Sequence, residues 1–266
     1  MNSSLNFKQV ASRLAATVLF GTAAAAASAH DIVLEPSRDG VAVRYGHPKD
    51  WQQVQDGKLV DLQLLRGNEA ARDLRADLRP RRIDLVLAVP DARAPALLAA
   101  RYDNGLWARL PAVGSAKPVA RNTTRVMLPE ATAVTNNLKF AKALVNGAEG
   151  GDLYKRPAGH LLELLPQRNP AQGKAGEALD VLVLFKGQPA AGVEVEVSNL
   201  EDLPVAGKTA GLRSDARGIV RVPTFATGVT TIGALLEKPN DGSLGEASRA
   251  IGADKFVLAA TYSFTR

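Results

Sequence analysis

Residues 178–200 read ALDVLVLFKGQPAAGVEVEVSNL, and this stretch decides the fold class. From Val193 to Val197, valines at every second position alternate with Glu194 and Glu196. That period of two is typical of a strand with one buried and one exposed face. The run DVLVLFKG just before it is rich in β-branched and aromatic side chains. The stretch therefore predicts successive strands of an antiparallel sandwich.

Short apolar segments of the same kind recur along the chain, separated by Gly, Pro, Asn and Asp. They include DIVLEP, GVAVRYG, KLVDLQLL, RIDLVLAV, HLLELLP, IVRVPTF and KFVLAATYSF. This spacing predicts an all-β protein of immunoglobulin-like sandwiches. Two segments remain open: residues 136–147 fit a short helix or a strand, and residues 69–79 fit a helix or a charged loop.

A change of composition at residues 147–159, GAEGGDLYKRPAG, indicates a connection between two domains. We expect two immunoglobulin-like β-sandwich domains in tandem, the first at residues 30–150 and the second at residues 160–266. Residues 1–29 are expected to be a signal peptide.

The N-terminus has the three parts of a secretory signal. Lys8 and Arg13 supply positive charge, an apolar run follows at residues 14–27, and Ala-Ser-Ala at residues 27–29 suits a signal peptidase. The run is short and rich in alanine compared with a membrane span of about 20 residues. The sequence thus predicts export to the periplasm, cleavage, and no membrane span afterwards. The alternative is an uncleaved amphipathic anchor.

Cleavage after Ala29 would make His30 the first residue. Its free α-amine and its imidazole could then close a chelate ring on one metal ion. Cleavage after Ala27 would place His30 third, where amine, amides and ring can bind a square-planar ion. Both arrangements suit Cu(II) or Ni(II), which favour nitrogen-rich tetragonal sites.

The composition excludes several classes of function. The chain has no cysteine, which removes disulfides, zinc–thiolate sites, iron–sulfur clusters and cysteine nucleophiles. The formal charge of +6 comes from dispersed arginines, and aromatic residues make up 5%, so we expect no nucleic-acid binding. No G-x-S-x-G motif or phosphate-binding loop occurs, and we predict that the protein is not an enzyme.

The chain contains three histidines, each in a turn or at a strand edge: His30, His47 in RYGHPKD and His160 in PAGHLLEL. Neutral imidazole is a common ligand of late first-row metals. We therefore predict a metal site built from these three residues. Nearby oxygen candidates are Asp31, Glu35 and Asp50. The alternative is three unrelated surface histidines.

Two other roles are alternatives for residues of this chain. A copper oxygenase with an N-terminal histidine brace would need a second histidine, for which His47 is the candidate. Trp51 and Trp107 could line a sugar platform, although packing in a core or at its rim is the more frequent role of tryptophan.

Several segments together resemble one bacterial family. These are AHDIVLEP behind a signal, HLLELLPQRNP, LDVLVLFKGQPAAGVEVEV, SDARGIVRVP and the final ATYSF. The family is of unknown function and is commonly described as the periplasmic component of cobalt/nickel transport. The second half also resembles transthyretin-like and carboxypeptidase-regulatory sandwich modules. Val33 departs from the pattern, since the family usually has a bulkier or aromatic residue there.

The resemblance implies a periplasmic accessory protein of nickel, cobalt or copper uptake that presents a divalent metal through an N-terminal histidine. Its partner would be an envelope metal transporter or an outer-membrane receptor. The alternative hypothesis is a non-enzymatic adhesion or scaffold module that recognises an envelope protein or a glycan.

Overall fold

The computed structural model describes residues 30–266 except 38, 39, 49, 90, 92, 115, 117, 175, 201–208, 226 and 245–251. The predicted signal peptide, residues 1–29, lies outside the described residues. The all-β prediction is confirmed, because the described ranges fold into three β-sheets. Their helical segments are short 3₁₀ turns at Asp56–Lys58, Arg75–Asp77, Gly147–Glu149 and Gly151–Lys155. No helix in these ranges is both long enough and apolar enough to cross a membrane.

The strands follow one another along the chain with short connections. In order they are β1 (Asp31–Ser37), β2 (Gly40–His47), β3 (Asp50–Gln52), β4 (Leu59–Leu65), β5 (Arg72–Asp73), β6 (Arg79–Arg81), β7 (Asp84–Ala88), β8 (Ala96–Arg109), β9 (Val119–Arg121), β10 (Ala133–Val145), β11 (Leu162–Pro166), β12 (Leu179–Phe185), β13 (Gln188–Pro189), β14 (Glu194–Asn199), β15 (Thr209–Arg213), β16 (Ile219–Val222), β17 (Thr230–Pro239) and β18 (Lys255–Phe264).

These strands form two outer sheets and one central sheet. The first outer sheet has the order β1-β2-β7-β6, with β3 paired to β2. The central sheet has the order β15-β14-β17-β18-β10-β8-β4-β5, with β9 paired to β8. The second outer sheet has the order β11-β12-β13, with β16 paired to β12.

The central sheet packs against an outer sheet on each of its faces, and β10 shows this most clearly. Phe140 and Leu144 belong to the core shared with the second outer sheet. Ala141 and Ala143 belong to the core shared with the first outer sheet. Since successive side chains of a strand point to opposite faces, both faces of β10 are buried. The predicted sandwich packing is therefore present, and the two sandwiches share their central sheet.

Both ambiguous segments have a defined structure. Residues 136–147 are mainly strand rather than helix. Both faces of this strand are buried, so its side chains do not show the alternation of apolar and polar residues that marks a strand with one exposed face. Residues 69–79 form a charged excursion with a two-residue strand and a 3₁₀ turn. The stretch 178–200 forms β12, β13 and β14, and β12 and β14 face each other from opposing sheets across one core.

The predicted domain connection at residues 147–159 carries two of the 3₁₀ turns. Strand β10 lies before it and β18 lies after it, and the two pair in parallel from Thr135↔Lys255 to Leu144↔Phe264. The division into domains at residues 150 and 160 stays a prediction, which the isolated second half can test.

Strand β1 is fixed on the central sheet, and this positions the residue that precedes it. The hydroxyl of Thr261 on β18 donates to the carbonyl oxygen of Ile32 over 2.8 Å. The ammonium of Lys139 on β10 lies 3.8 Å from a carboxylate oxygen of Asp31. His30 immediately precedes this strand, so the contacts of β1 fix its position.

Candidate metal-binding site

His30 and His47 are neighbours at one end of the first outer sheet. Strands β1 and β2 are antiparallel, with Asp31 opposite Gly46. Continuing this register places the residue before Asp31 opposite the residue after Gly46. The two imidazole rings have centroids 5.4 Å apart and planes inclined at 66°. Strand pairing thus brings together two histidines that are distant in sequence.

The hairpin between β2 and β3 brings a carboxylate to the same place. His47 pairs with Asp50 across this hairpin. Gly46 has φ +129°, and a Cβ there would lie 2.3 Å from the carbonyl oxygen of Asp50. The close approach of the two strands therefore requires glycine. Nε2 of His30 lies 3.2 Å from Oδ2 of Asp50.

A second side chain, Gln52, reaches the same ring nitrogen. Its Nε2 lies 3.4 Å from Nε2 of His30. The carboxylate of Asp50 can only accept a hydrogen bond, whereas an amide nitrogen donates one. Because Nε2 can serve one of these partners at a time, the neighbours do not fix a single tautomer of His30.

The ring of His30 rests on an aromatic support. It contacts Tyr45 edge to face, with centroids 5.5 Å apart and planes at 88°. Tyr45 is buried and stacks on Tyr102 at 5.3 Å. Burial raises the pKa of Tyr45, so this phenol stays neutral at physiological pH. The side chain of His30 itself remains 22% exposed and accessible to an ion.

The spacing of the two rings fits shared coordination of one ion. With a metal–nitrogen bond of ~2 Å, two imidazoles on one ion have ring centres roughly 4.5 to 6.5 Å apart. The separation of 5.4 Å between His30 and His47 lies within this range. Among the described residues, however, no three His, Asp or Glu side chains are grouped so that they could hold an ion. Two rings alone would leave the coordination of an ion incomplete, so a metal at this place would need another ligand.

The other predicted oxygen ligands have different neighbours. Asp31 lies beside Lys139. A carboxylate oxygen of Glu35 lies 2.8 Å from Nε of Arg44. Asp50 lies within hydrogen-bond distance of the ring of His30.

His160 is placed apart from the other two histidines. It is 6% exposed, and its ring lies 5.2 Å from that of Phe140, on the face of the central sheet turned toward the second outer sheet. His30 and His47 belong to the first outer sheet on the opposite face. Burial lowers the pKa of His160 to about 4, so its imidazole is neutral at physiological pH. The structure brings together His30 and His47 but not His160.

Two buried lysines of β10, Lys139 and Lys142, were not identified from the sequence. Lys142 and Glu163 are each 2% exposed and form an ion pair of 2.8 Å. Glu163 also accepts a hydrogen bond from the backbone N–H of Ala158. Burial lowers the pKa of Lys142 to about 8. This pair ties the connection at residues 147–159 to both β10 and β11.

Lys139 is buried on the opposite face of β10, beneath the start of β1. Its ammonium has no hydrogen-bond partner among the described residues, and Asp31 is its nearby carboxylate. Burial lowers the pKa of Lys139.

Tyr45, which supports the ring of His30, was also not identified from the sequence. Its position two residues before His47 places both side chains on one face of β2.

The two tryptophans have different surroundings. Trp51 is half-buried and packs against the cluster that contains Val33 and Leu200, with the guanidinium of Arg44 5.3 Å from its ring centre. Trp107 lines an open cleft that also reaches His30. Trp51 is not among the residues that line this cleft.

Comparison with known proteins identifies a family but no activity. Residues 27–238 match the model of a domain of unknown function, DUF4198. No curated protein matches the chain. The solved D0-D1 domain of intimin is 9% identical, covers 89% of this chain and 98% of its own, and has a TM-score of 0.22. Native alpha-2-macroglobulin from Escherichia coli, spanning domains MG0-NIE-MG1, is 10% identical with coverages of 76% and 91% and a TM-score of 0.19. At these TM-scores, the two solved structures support no conclusion about the function of this chain.

Proposed function

The chain belongs to the DUF4198 family, which has no assigned function, and we propose from its own residues that it binds a divalent transition metal through His30 and His47. The observation that carries this proposal is the pair of rings 5.4 Å apart at the start of β1. Export and cleavage after Ala29 would add the α-amine of His30 as a third nitrogen. Asp50 would then accept a hydrogen bond from a ligating ring or provide an oxygen ligand.

The nitrogen-rich donor set favours Cu(II) or Ni(II), with Co(II) binding more weakly. A site at a chain terminus is open to exchange, which suits a protein that passes its metal to another. The resemblance to cobalt/nickel transport proteins supports a periplasmic carrier that delivers its ion to an envelope transporter. His160 has no part in this site, because it lies in the other core.

The proposal is tested by calorimetric titration of the exported protein with Cu(II), Ni(II) and Co(II). Mass spectrometry first establishes that the protein begins at His30. We expect one ion per chain, with Cu(II) bound most tightly. His30→Ala and His47→Ala should each weaken binding at least tenfold. His160→Gln is the matched control and should leave affinity unchanged.

Two further titrations separate the contributions of ring and amine. One additional residue before His30 leaves the ring in place but removes its free amine, and this should weaken binding as much as loss of a ring. Binding should also weaken as pH falls, because protons compete for the imidazoles and the amine. If no metal binds to protein that begins at His30, the proposal fails and the adhesion or scaffold alternative becomes the better one.

A further inference from the structure

A cleft of about 380 Å³ lies beside His30 on one face of the central sheet. Its floor is formed by residues of β8, β10, β17 and β18, and one wall comes from β9. His30 and Tyr45 close the end nearest the first outer sheet. The volume is that of a site for a small organic molecule rather than for a single ion.

The lining combines apolar surface with a few polar groups, which is typical of small-molecule sites. Trp107, Val119, Leu235 and Val257 supply apolar surface. Asn137 supplies an amide from the floor. A ligand with a flat apolar body can therefore bury that body in the cleft while its polar groups form hydrogen bonds with the lining.

The charged residues of the cleft are mostly cations. Lys255 forms an ion pair with Glu237. Arg109 and Arg121 also line the cleft, and neither forms an ion pair with a carboxylate among the described residues. The guanidinium of Arg121 lies over the ring of Trp107, 4.5 Å from its centre. The cleft thus presents two arginines whose charge is not balanced locally.

The strand register explains why these residues lie together. Trp107 on β8 pairs with Arg121 on β9, and Arg109 pairs with Val119. Residues 107 and 109 point to the same face of β8 because side chains alternate along a strand. Stacking on Trp107 restricts the guanidinium of Arg121, so less conformational freedom is lost when an anion binds.

We propose that this cleft binds a small organic carboxylate with a flat apolar body. Arg109 and Arg121 hold the carboxylate, whose geometry matches the planar N–H groups of a guanidinium. Trp107 and the neighbouring apolar side chains contact the body of the ligand. This inference goes beyond the metal proposal and does not rest on it.

The test uses 2-naphthoate as the probe and the fluorescence of Trp107 as the signal. The chain has two tryptophans, so the Trp51→Phe variant leaves Trp107 as the sole reporter. Titration of metal-free protein, from which any chelator has been removed, in buffer free of carboxylates should give saturable quenching. The neutral analogue 2-naphthamide has nearly the same shape and should bind at least tenfold more weakly. Equal binding of the two probes, or no saturable binding of 2-naphthoate, would overturn the proposal.

Matched variants locate the binding. Arg121→Gln and Arg109→Gln should each weaken 2-naphthoate about tenfold and leave 2-naphthamide unaffected. Arg93→Gln removes an exposed arginine outside the cleft and should change neither affinity. His47→Ala, which removes a proposed metal ligand, should also retain the probe, so failure of the metal proposal would be seen separately. Unchanged affinity in both cleft arginine variants would contradict the assignment.

Discussion

Replacing His160 by glutamine should remove a defined part of the acid sensitivity of this protein. Burial lowers the pKa of His160 from 6.5 to about 4, with Glu163 opposing the shift and Lys142 adding to it. Between these two values the unfolded chain binds a proton that the folded chain excludes. Stability contributed by the neutral ring is complete above pH 6.5 and is lost as pH falls toward 4. From pH 7.5 to pH 4.5 the loss is about 2.5 kcal/mol.

Urea unfolding at these two pH values measures the effect in the wild type and in His160→Gln. Carboxylates titrate in both proteins, so the informative quantity is the difference between their losses of unfolding free energy. His160→Gln should lose about 2.5 kcal/mol less than the wild type on acidification. If the unfolding free energy of His160→Gln falls on acidification by as much as that of the wild type, the buried neutral imidazole does not cause the acid sensitivity.

Three further predictions concern the fold that supports the site. Glu163→Ala leaves the ammonium of Lys142 buried without its carboxylate partner, so the free energy of unfolding in urea should fall by about 3 to 5 kcal/mol. A decrease below about 1 kcal/mol would contradict a stabilising role of the buried pair. Gly46→Ala should destabilise the protein by more than about 1 kcal/mol, because the added Cβ would meet the carbonyl oxygen of Asp50. The same change should weaken metal binding in calorimetry. Unchanged affinity would show that the hairpin does not position the site. Residues 160–266 expressed alone should unfold at lower urea concentration than the full chain, because β18 loses its pairing with β10. Equal stability would instead support two independent domains.

The local pattern of the sequence was enough to predict much of the fold. Alternation at residues 193–197 correctly predicted β14. Alternation says nothing about which strands are neighbours. The parallel pairing of β10 with β18 joins segments far apart in the chain, so the shared central sheet could not be predicted from either segment alone.

The site was only partly predictable for a related reason. His30 and His47 can be recognised as metal-ligand types, but their contact depends on the register between β1 and β2. His160 looked equivalent in sequence because it follows a glycine at the start of a strand. Its burial depends on packing against Phe140, a residue of another strand. Lys139 was missed because a lysine in a strand usually indicates a solvated face, whereas both faces of β10 are covered.

Electron paramagnetic resonance of the exported protein loaded with one Cu(II) tests the central claim most directly. With histidine labelled by ¹⁵N, the spectrum reports how many imidazole nitrogens bind the ion. We expect two imidazoles in the wild type and in His160→Gln, and one imidazole in His47→Ala. A wild-type spectrum with a single imidazole, or one that is unchanged in His47→Ala, would contradict shared coordination by His30 and His47.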